Sequence, residues 1–340
     1  MSKENLHKAI LELKELRESM GRMPTRREFV HEFGWHWEKF APSWLQFVQM
    51  AGMDAKEIAI RGSIKQPKII TEKPHSFNVV APDFQDMFRK SKKKVLKFLI
   101  IPDIHFDHQD DLALECFFNF ALDYNADGFI NLGDVADMSP ISHWGSETLE
   151  PESLVPQMKN VQNFFQRLIK ENKNMFHRFY LKSNHDDWLR QYLIQNAKPL
   201  AFKLEDLGVH LTVEQFYNLK EFKIEAIEYN ALLKLGNAYF THGLYTGANY
   251  VKTHIDVLKK NIFFGHEHTA FRGSQTSVDG LIEGASFGCL CKLDAPFLKG
   301  KPNNWVQGFG TFEFISTGEF SWAFHRIHNG KLFFNGKVFG

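Results

Sequence analysis

Between residues 95 and 268 the chain repeats one device: a short apolar run that stops abruptly at side chains able to hold a cation. "VLKFLII" runs into "PDIH", "GFINL" into "GDVAD", "MFHRFYL" into "KSNHD", "NAYFT" into "HG" and "NIFF" into "GHEH". The near-continuous apolar character of "VLKFLII" is that of a strand covered on both faces. Helical patterns separate these runs, in "DDLALECFFNFALDYN", at 156–171, in "DDWLRQYLIQNA" and in "NYVKTHIDVLKK". Such alternation specifies an α/β protein. The final third is richer in strands, with turn signals at "STGEF", "HNGK" and "FNGK".

Five places can do chemistry: Asp103 and His105; Asp134 and Asp137; Asn184, His185 and Asp186; His242; and His266 and His268. Taken singly each has an ordinary reading, because Asp-x-His arises by accident, Gly-Asp makes turns, and a buried histidine is more often hydrogen-bonded core than ligand. All five, however, fall at the ends of predicted strands. In an open α/β sheet those ends converge on one edge, so a single site can contain them all.

The order and types of these residues resemble the calcineurin-like metallophosphoesterase superfamily over roughly 95–270. The stretch "GASFGCLCKLDAPFLKGKPNNWVQGFGTFEF" is similar to the tail of a phage-associated branch of it, and residues 1–94 lie outside the resemblance. The resemblance implies a layered β-sheet core flanked by helices. It also implies two divalent ions, which in such centres lie about 3.5–4 Å apart, clamp a phosphate and acidify a water for in-line attack. Asp103, His105, Asp134 and His268 would hold one ion and Asp134, Asn184, His242 and His266 the other, with Asp134 bridging. His185 would contact the phosphate and protonate the leaving oxygen, a role suited to a side chain that titrates near neutrality. Asp137 would accept a hydrogen bond from that imidazole, or else cap the following segment. The ligand types suit Mn²⁺, Fe or Zn²⁺, with Mn²⁺ or Fe the better match to the oxygen share.

The activity so implied is hydrolysis of phosphoesters, with nucleic-acid (DNA or RNA) or nucleotide phosphodiesters as the leading substrate. Phosphomonoester hydrolysis and a non-catalytic binding protein on the same fold are the alternatives. Two positions depart from the family pattern. Ser183 replaces a glycine, and Met138 stands where the protein-phosphatase branch has a phosphate-binding arginine.

Several residues carry weaker signals. Asp107 and His108 suit the rim of the site or plain solvation. Arg190 could reach a phosphate or pair with Asp186 four residues earlier. His254 reads as a residue behind the ligands or as a helix-surface histidine. Cys289 and Cys291 are better read as buried than as ligands, and with Cys116 they make no disulfide framework, which points to a reducing compartment.

The front of the chain is different in kind. Apolar spacing from Leu6 to Met20 closed by Gly21, a Thr25–Glu28 capping box before "FVHEFG", and a similar Ser43–Gln46 signal before Gly52 predict a small helical module over 1–53. It is similar to helix-turn-helix-like modules of phage and mobile-element proteins, which would place Arg22, Arg26 and Arg27 at phosphates; a packing or docking domain is the alternative. Its eight basic and seven acidic residues leave little electrostatic footprint. Residues 54–94 read as a basic linker and 95–340 as the metallophosphoesterase domain. A hydrophobic content of 44% supports a globular core, and no run of 18 apolar residues occurs. The expectation is a cytoplasmic protein, in a host cytoplasm if phage-encoded, without membrane partners.

Overall fold

The computed structural model describes residues 3–21, 23–34, 36–53, 77–142, 153–197, 211–278, 280–295, 298 and 300–340. The chain divides into two units, Met1–Ser76 and Phe77–Gly340.

The first unit contains α1 (Lys3–Met20), α2 (Arg26–Phe33) and α3 (Trp44–Met50). α2 starts on a full capping box: the Glu28 N–H donates to Thr25 Oγ1 at 3.3 Å and the Thr25 N–H to Glu28 Oε2 at 2.7 Å. Gly34 ends it in the left-handed conformation. Ser43 caps α3 in the same way, but the Gln46 side chain meets the Ser43 hydroxyl, so only half of that box forms. Phe29 centres the small core, with ring centroids 5.5 Å from Phe47, 5.6 Å from Phe33 and 5.7 Å from Trp44. Large rings let a module of this size bury enough apolar area to hold together. Arg26 and Arg27 are exposed in the first turn of α2, whereas Arg22 and residues 54–76 lie outside the described residues.

The second unit begins earlier than the sequence suggests. β1 (Val79–Val80) pairs in parallel with Leu232 and Leu233, and α4 (Phe84–Ser91), capped by Asp83, buries Met87 and Phe88. Residues 77–94 are therefore part of the folded unit rather than the end of a linker. The apolar positions of α4 face one way, while its Lys and Arg residues gave the stretch its linker-like composition.

β2 (Val95–Ile101), α5 (Asp111–Tyr124), β3 (Gly128–Asn131), α6 (Val155–Glu171), β4 (His177–Leu181), α7 (Asn184–Asn196), α8 (Val213–Phe216) and β5 (Glu225–Ile227) follow. Then come β6 (Leu232–Leu235), β7 (Ala238–Thr241), α9 (Tyr250–Leu258), β8 (Asn261–Phe264), β9 (Arg272–Ser277) and β10 (Gly280–Ser286). β11 (Gly308–Ile315), β12 (Phe320–Arg326), β13 (Leu332–Phe334) and β14 (Lys337–Phe339) complete the chain. Glycines at the three predicted turns, Gly318, Gly330 and Gly336, all have positive φ.

Two six-stranded mixed sheets result, ordered β12-β11-β2-β3-β4-β5 and β1-β6-β7-β8-β10-β9. They face each other across a core that includes Leu96, Phe98, Ile100, Phe240, Phe263, Phe287 and Phe312. The alternate residues of β2, Leu99 and Ile101, join Phe117, Phe129 and Phe165 in a second core under α5 and α6. "VLKFLII" is apolar throughout because one set of side chains meets the other sheet and the other set meets helices. α9 covers the outer face of the second sheet, packing Val251 and Ile255 against Ile262 and Phe264. No helix among the described residues is long and apolar enough to cross a membrane.

His254 lies on the packed face of α9 and is fully buried, which corrects the helix-surface reading. Its ring stacks on Phe264 at 3.9 Å, Nδ1 donates to the Tyr250 carbonyl at 2.8 Å, and Nε2 accepts from the Leu244 N–H at 2.9 Å. It thereby pins the loop that follows β7. Burial pushes both His254 and the equally enclosed His325 down to about 4, from an ordinary 6.5. Each enters the fold neutral, so the unfolded chain binds the extra protons between those limits. Stability is full above pH 6.5 and falls as the pH drops toward 4, by about 3 kcal/mol per histidine at most. Urea unfolding across that range should show the decline, and His325→Gln should flatten it; an unchanged slope would mean that His325 does not titrate in this way.

Candidate metal centre

Two sheets rather than the edge of one deliver the donor side chains. β2, β3 and β4 of the first sheet lead into Asp103 and His105, Asp134, and Asn184; β7 and β8 of the second lead into His242, and into His266 and His268. A hydropathy pattern marks strands without saying which sheet each joins, so the single edge expected from the sequence becomes the shared rim of a sandwich.

The two rims are tied together at the donors themselves. The Asp103 carboxylate accepts the His266 N–H at 2.9 and 3.1 Å, and His242 Nδ1 donates to the Leu132 carbonyl at 2.8 Å. Two glycines make this approach feasible. A Cβ on Gly265 would lie 2.3 Å from Asp103 Oδ1, and one on Gly133 2.7 Å from His242 Nδ1. The Gly-Asp and Gly-His dipeptides, which look like ordinary turns in sequence, are close-approach points. His105, Asp134, His266 and His268 all hold positive φ, between 46° and 69°. Non-glycine residues pay about 1 kcal/mol or more each for that conformation, and it clusters at functional sites.

Ligand atoms of Asp103, His105, Asp134 and His268 all lie within 4.8 Å of one another, as do those of Asp134, His242 and His266. Asp134 is common to both groups. Asn184 Oδ1 joins the second group, 2.8 Å from His242 Nε2. All seven side chains singled out as ligands are thus brought together.

What faces what is more telling than proximity. His105 Nδ1 is committed to Asp137 Oδ1 at 2.9 Å and His242 Nδ1 to a carbonyl, so the Nε2 of each points inward carrying a lone pair. His105 Nε2 lies 3.0 Å from His268 Nε2, which lies 3.0 Å from Asp103 Oδ2. On the other side His242 Nε2 lies 3.0 Å from His266 Nδ1 and 3.3 Å from Asp134 Oδ2. Among the described residues, buried Asp134 Oδ1 has no hydrogen-bond partner. Converging acceptors with few donors between them favour a cation among them. With protons in that role, three imidazoles, His185, His242 and His105, overcome burial to keep Asp134 well below the usual carboxylate range. His242 is pushed up to about 9, because Asp134 outweighs its burial, while burial and His242 push His266 down to about 4. Three oxygen donors, four imidazole nitrogens and two carboxylate charges fit a pair of divalent transition-metal ions.

His185 occupies the first turn of α7, which begins at Asn184, two residues before the apolar pattern suggests. Ser183 is its N-cap with φ −110°, an extended conformation open to any residue, so the departure from glycine there causes no distortion. Asp186 closes the box and is anchored by the Tyr180 hydroxyl at 2.6 Å and the Tyr217 hydroxyl at 3.0 Å. Burial raises it to about 6 despite those bonds. Arg190 pairs with Asp187 at 2.7 Å, not with Asp186, whose carboxylate is turned inward.

Asp137 holds His185, but through a different atom from the one expected. Its carbonyl accepts from His185 Nδ1 at 2.5 Å, while its carboxylate accepts from His105 Nδ1 and lies 3.7 Å from His108 Nε2. The cause is register: the Asp137 N–H bonds the Phe106 carbonyl at 2.9 Å, which aims the side chain back along the extension of β2. His108 is thus tied to the site's support. Asp107 accepts from Gln157 Nε2 at 2.9 Å, and Gln157 Oε1 in turn accepts the Met138 N–H at 2.8 Å, a role for Gln157 that no sequence signal marked. Cys289 and Cys291 are buried beside the backbone of Asp103, to whose carbonyl the Leu290 N–H donates at 2.7 Å. Contact with Cys289, then burial, raises the Cys291 thiol well above its ordinary value, which suits a packing role. Two indoles also escaped the sequence reading: Trp188 stacks on His185 at 3.9 Å, and Trp305 meets His268 edge-on at 4.1 Å.

No family model matches the sequence, and no curated protein matches it. Among solved structures, Vacuolar Protein Sorting 29 from Cryptosporidium parvum is 12% identical, with a TM-score of 0.39 over 72% of this chain and 96% of that one. YfcE, a phosphoesterase from E. coli, is 14% identical, with a TM-score of 0.31 over 65% and 92%. The nuclease MPE from Pseudomonas putida is 11% identical, with a TM-score of 0.31 over 71% and 86%.

Gly265→Ala gives a direct test of the centre. Its backbone accommodates alanine, so the only conflict is with the Asp103 carboxylate, which the His266 N–H keeps from moving aside. The fold should persist by circular dichroism while Mn²⁺ affinity falls about 10–100-fold in a calorimetric titration. Unaltered affinity would remove Asp103 from the ligand set.

Proposed function

We propose that the chain is a dinuclear metal-dependent phosphoesterase acting on phosphodiesters of nucleic acids or nucleotides. The observation that carries this reading is the convergence of Asp103, His105, Asp134, Asn184, His242, His266 and His268 into two groups that share Asp134. The sequence resemblance to calcineurin-like metallophosphoesterases supports the same reading. When bound, the ions supply Lewis acidity toward phosphoryl oxygens and lower the pKa of water.

The chain's own residues supply the rest. Asp137 and the Leu132 carbonyl fix the tautomers of His105 and His242, which keeps both inward nitrogens free to bind. Hydrolysis breaks the bond from phosphorus to the leaving oxygen, forms one to a water oxygen, and requires a proton on the departing group where that group is a sugar alkoxide. His185 is the group placed to give it. Its Nδ1 is held by a carbonyl and its Nε2 lies 3.8 Å from Asp134 Oδ2, at the mouth of the donor cluster rather than inside it.

A diester suits the site better than a monoester. A monoester brings a second negative charge, and the position that carries an arginine in protein phosphatases is here the fully buried Met138. Two carboxylates and a hydroxide against two dications leave about one net positive charge, enough for one phosphodiester anion. In the first unit, exposed Arg26 and Arg27 at the start of α2 are suited to nucleic-acid phosphates.

The deciding experiment combines metal analysis with a substrate panel in Mn²⁺, from bis-p-nitrophenyl phosphate and p-nitrophenyl phosphate to single- and double-stranded DNA. Diester turnover with two ions per chain supports the reading. Faster monoester turnover would favour a phosphomonoesterase, and two bound ions with no turnover a binding protein. His185→Ala should lower kcat for DNA about 10²-fold or more with metal content intact; loss of metal would instead make His185 a ligand. Arg26→Ala with Arg27→Ala should weaken nucleic-acid binding at low salt and leave hydrolysis of the small diester unchanged, and equal affinity would end the case for that module as a DNA contact.

A further inference from the structure

We infer that Trp188 is a positioning residue for the reaction, holding the plane of the His185 imidazole so that its Nε2 faces the leaving oxygen. The inference rests on the proposed phosphoesterase activity. A hydrogen bond at Nδ1 fixes one atom of a ring and leaves the ring able to swing about that contact. His185 has such a bond, to the Asp137 carbonyl at 2.5 Å, and an edge contact with the His105 ring at 4.8 Å. Neither holds the ring face to face.

Trp188 does. Its indole lies face to face with the imidazole at 3.9 Å between centroids and 29° between planes. The spacing is i, i+3 within α7, which puts both rings on one helix face. The indole in turn packs against the core that includes Phe165, Tyr180 and Leu189, so it cannot easily turn with the imidazole. The first turn of α7 is itself anchored by the Ser183–Asp186 box and the Tyr180 and Tyr217 hydroxyls. A rigid backbone, a fixed Nδ1 and a fixed plane together leave one direction for Nε2. An aliphatic side chain at 188 keeps the helix and the core contact and removes the flat face.

Trp188→Leu and Trp188→Phe in the full chain, with Mn²⁺, separate this role from a structural one. Two diesters are compared: bis-p-nitrophenyl phosphate, whose leaving group needs no proton, and the dinucleotide dTpdT, whose sugar alkoxide does. In Trp188→Leu, kcat for the dinucleotide should fall about 10–100-fold while the nitrophenyl ester loses less than about threefold, with KM and Mn²⁺ content unchanged. Trp188→Phe should recover most of the loss. In nitrogen-15 histidine spectra of the protein loaded with diamagnetic Zn²⁺ instead, the His185 Nδ1–H signal should be sharp in wild type and Trp188→Phe and broadened in Trp188→Leu. Equal losses on both esters, a change confined to KM, loss of metal, or an unaltered His185 signal would overturn the assignment. Wild-type protein that hydrolyses neither ester would fail at the earlier step, the phosphoesterase reading itself.

Discussion

The structure turns on a buried carboxylate that joins two sheets. Asp103 leaves the end of β2 in one sheet and takes the His266 N–H of the other, through a gap that exists only because residue 265 lacks a side chain. The reciprocal tie from His242 to the Leu132 carbonyl passes over Gly133 in the same manner. These contacts bring lone pairs from opposite sheets to about hydrogen-bond distance, an arrangement unfavourable by itself. The positive φ values of four donors add strain at the same point. Such a rim persists because the sandwich behind it is rigid. Phe240, Phe263, Phe287 and Phe312 fill the space between the sheets, with Phe312 only 4.7 Å from Phe263 and 5.0 Å from Phe240.

Around the donors runs a second tier whose members hold other residues rather than any substrate. Asp137 serves His105 with its carboxylate and His185 with its carbonyl, so one residue sets the direction of a ligand and of the proposed acid. Tyr180, Tyr217 and Ser183 converge on Asp186 and fix the start of α7. His254 fixes the loop after His242 from behind. Each of these groups is buried, and Asp137, Asp186 and His254 each hold more than one partner at once, which is how precise placement survives thermal motion.

The sequence displayed the donors more clearly than their supports, for a physical reason. A strand covered on both faces is recognisable from its apolar run, and a strand end that turns at once to Asp, His or Asn is conspicuous, so Asp103, His105, Asp134, Asn184, His242, His266 and His268 could all be picked out. Which sheet a strand joins depends on long-range pairing that no local pattern encodes, and the two-sheet origin of the cluster stayed hidden. The carbonyl of Asp137 had no residue type to betray it. His254 and Gln157 look like surface residues until α9 and α6 are docked. α4 escaped because eight residues are too few for a helical period to stand out beside the basic run that follows, even when Met87 and Phe88 are buried.

Charge balance links these tiers to the choice of substrate. Burying Asp103 and Asp134 completely leaves them no solvent to answer their charge, and the surrounding imidazoles answer only by taking up protons. Divalent ions would relieve that demand and release the protons, which would make metal binding and the protonation of this cluster one equilibrium. His185 stands just outside the donor groups, its Nδ1 tied to a neutral carbonyl rather than to a carboxylate. A carboxylate there would raise the imidazole, as Asp134 does for His242. The carbonyl instead orients the ring while adding no negative charge, and burial, only partly opposed by Asp134, holds His185 below its ordinary value, which favours release of a proton by the proposed acid.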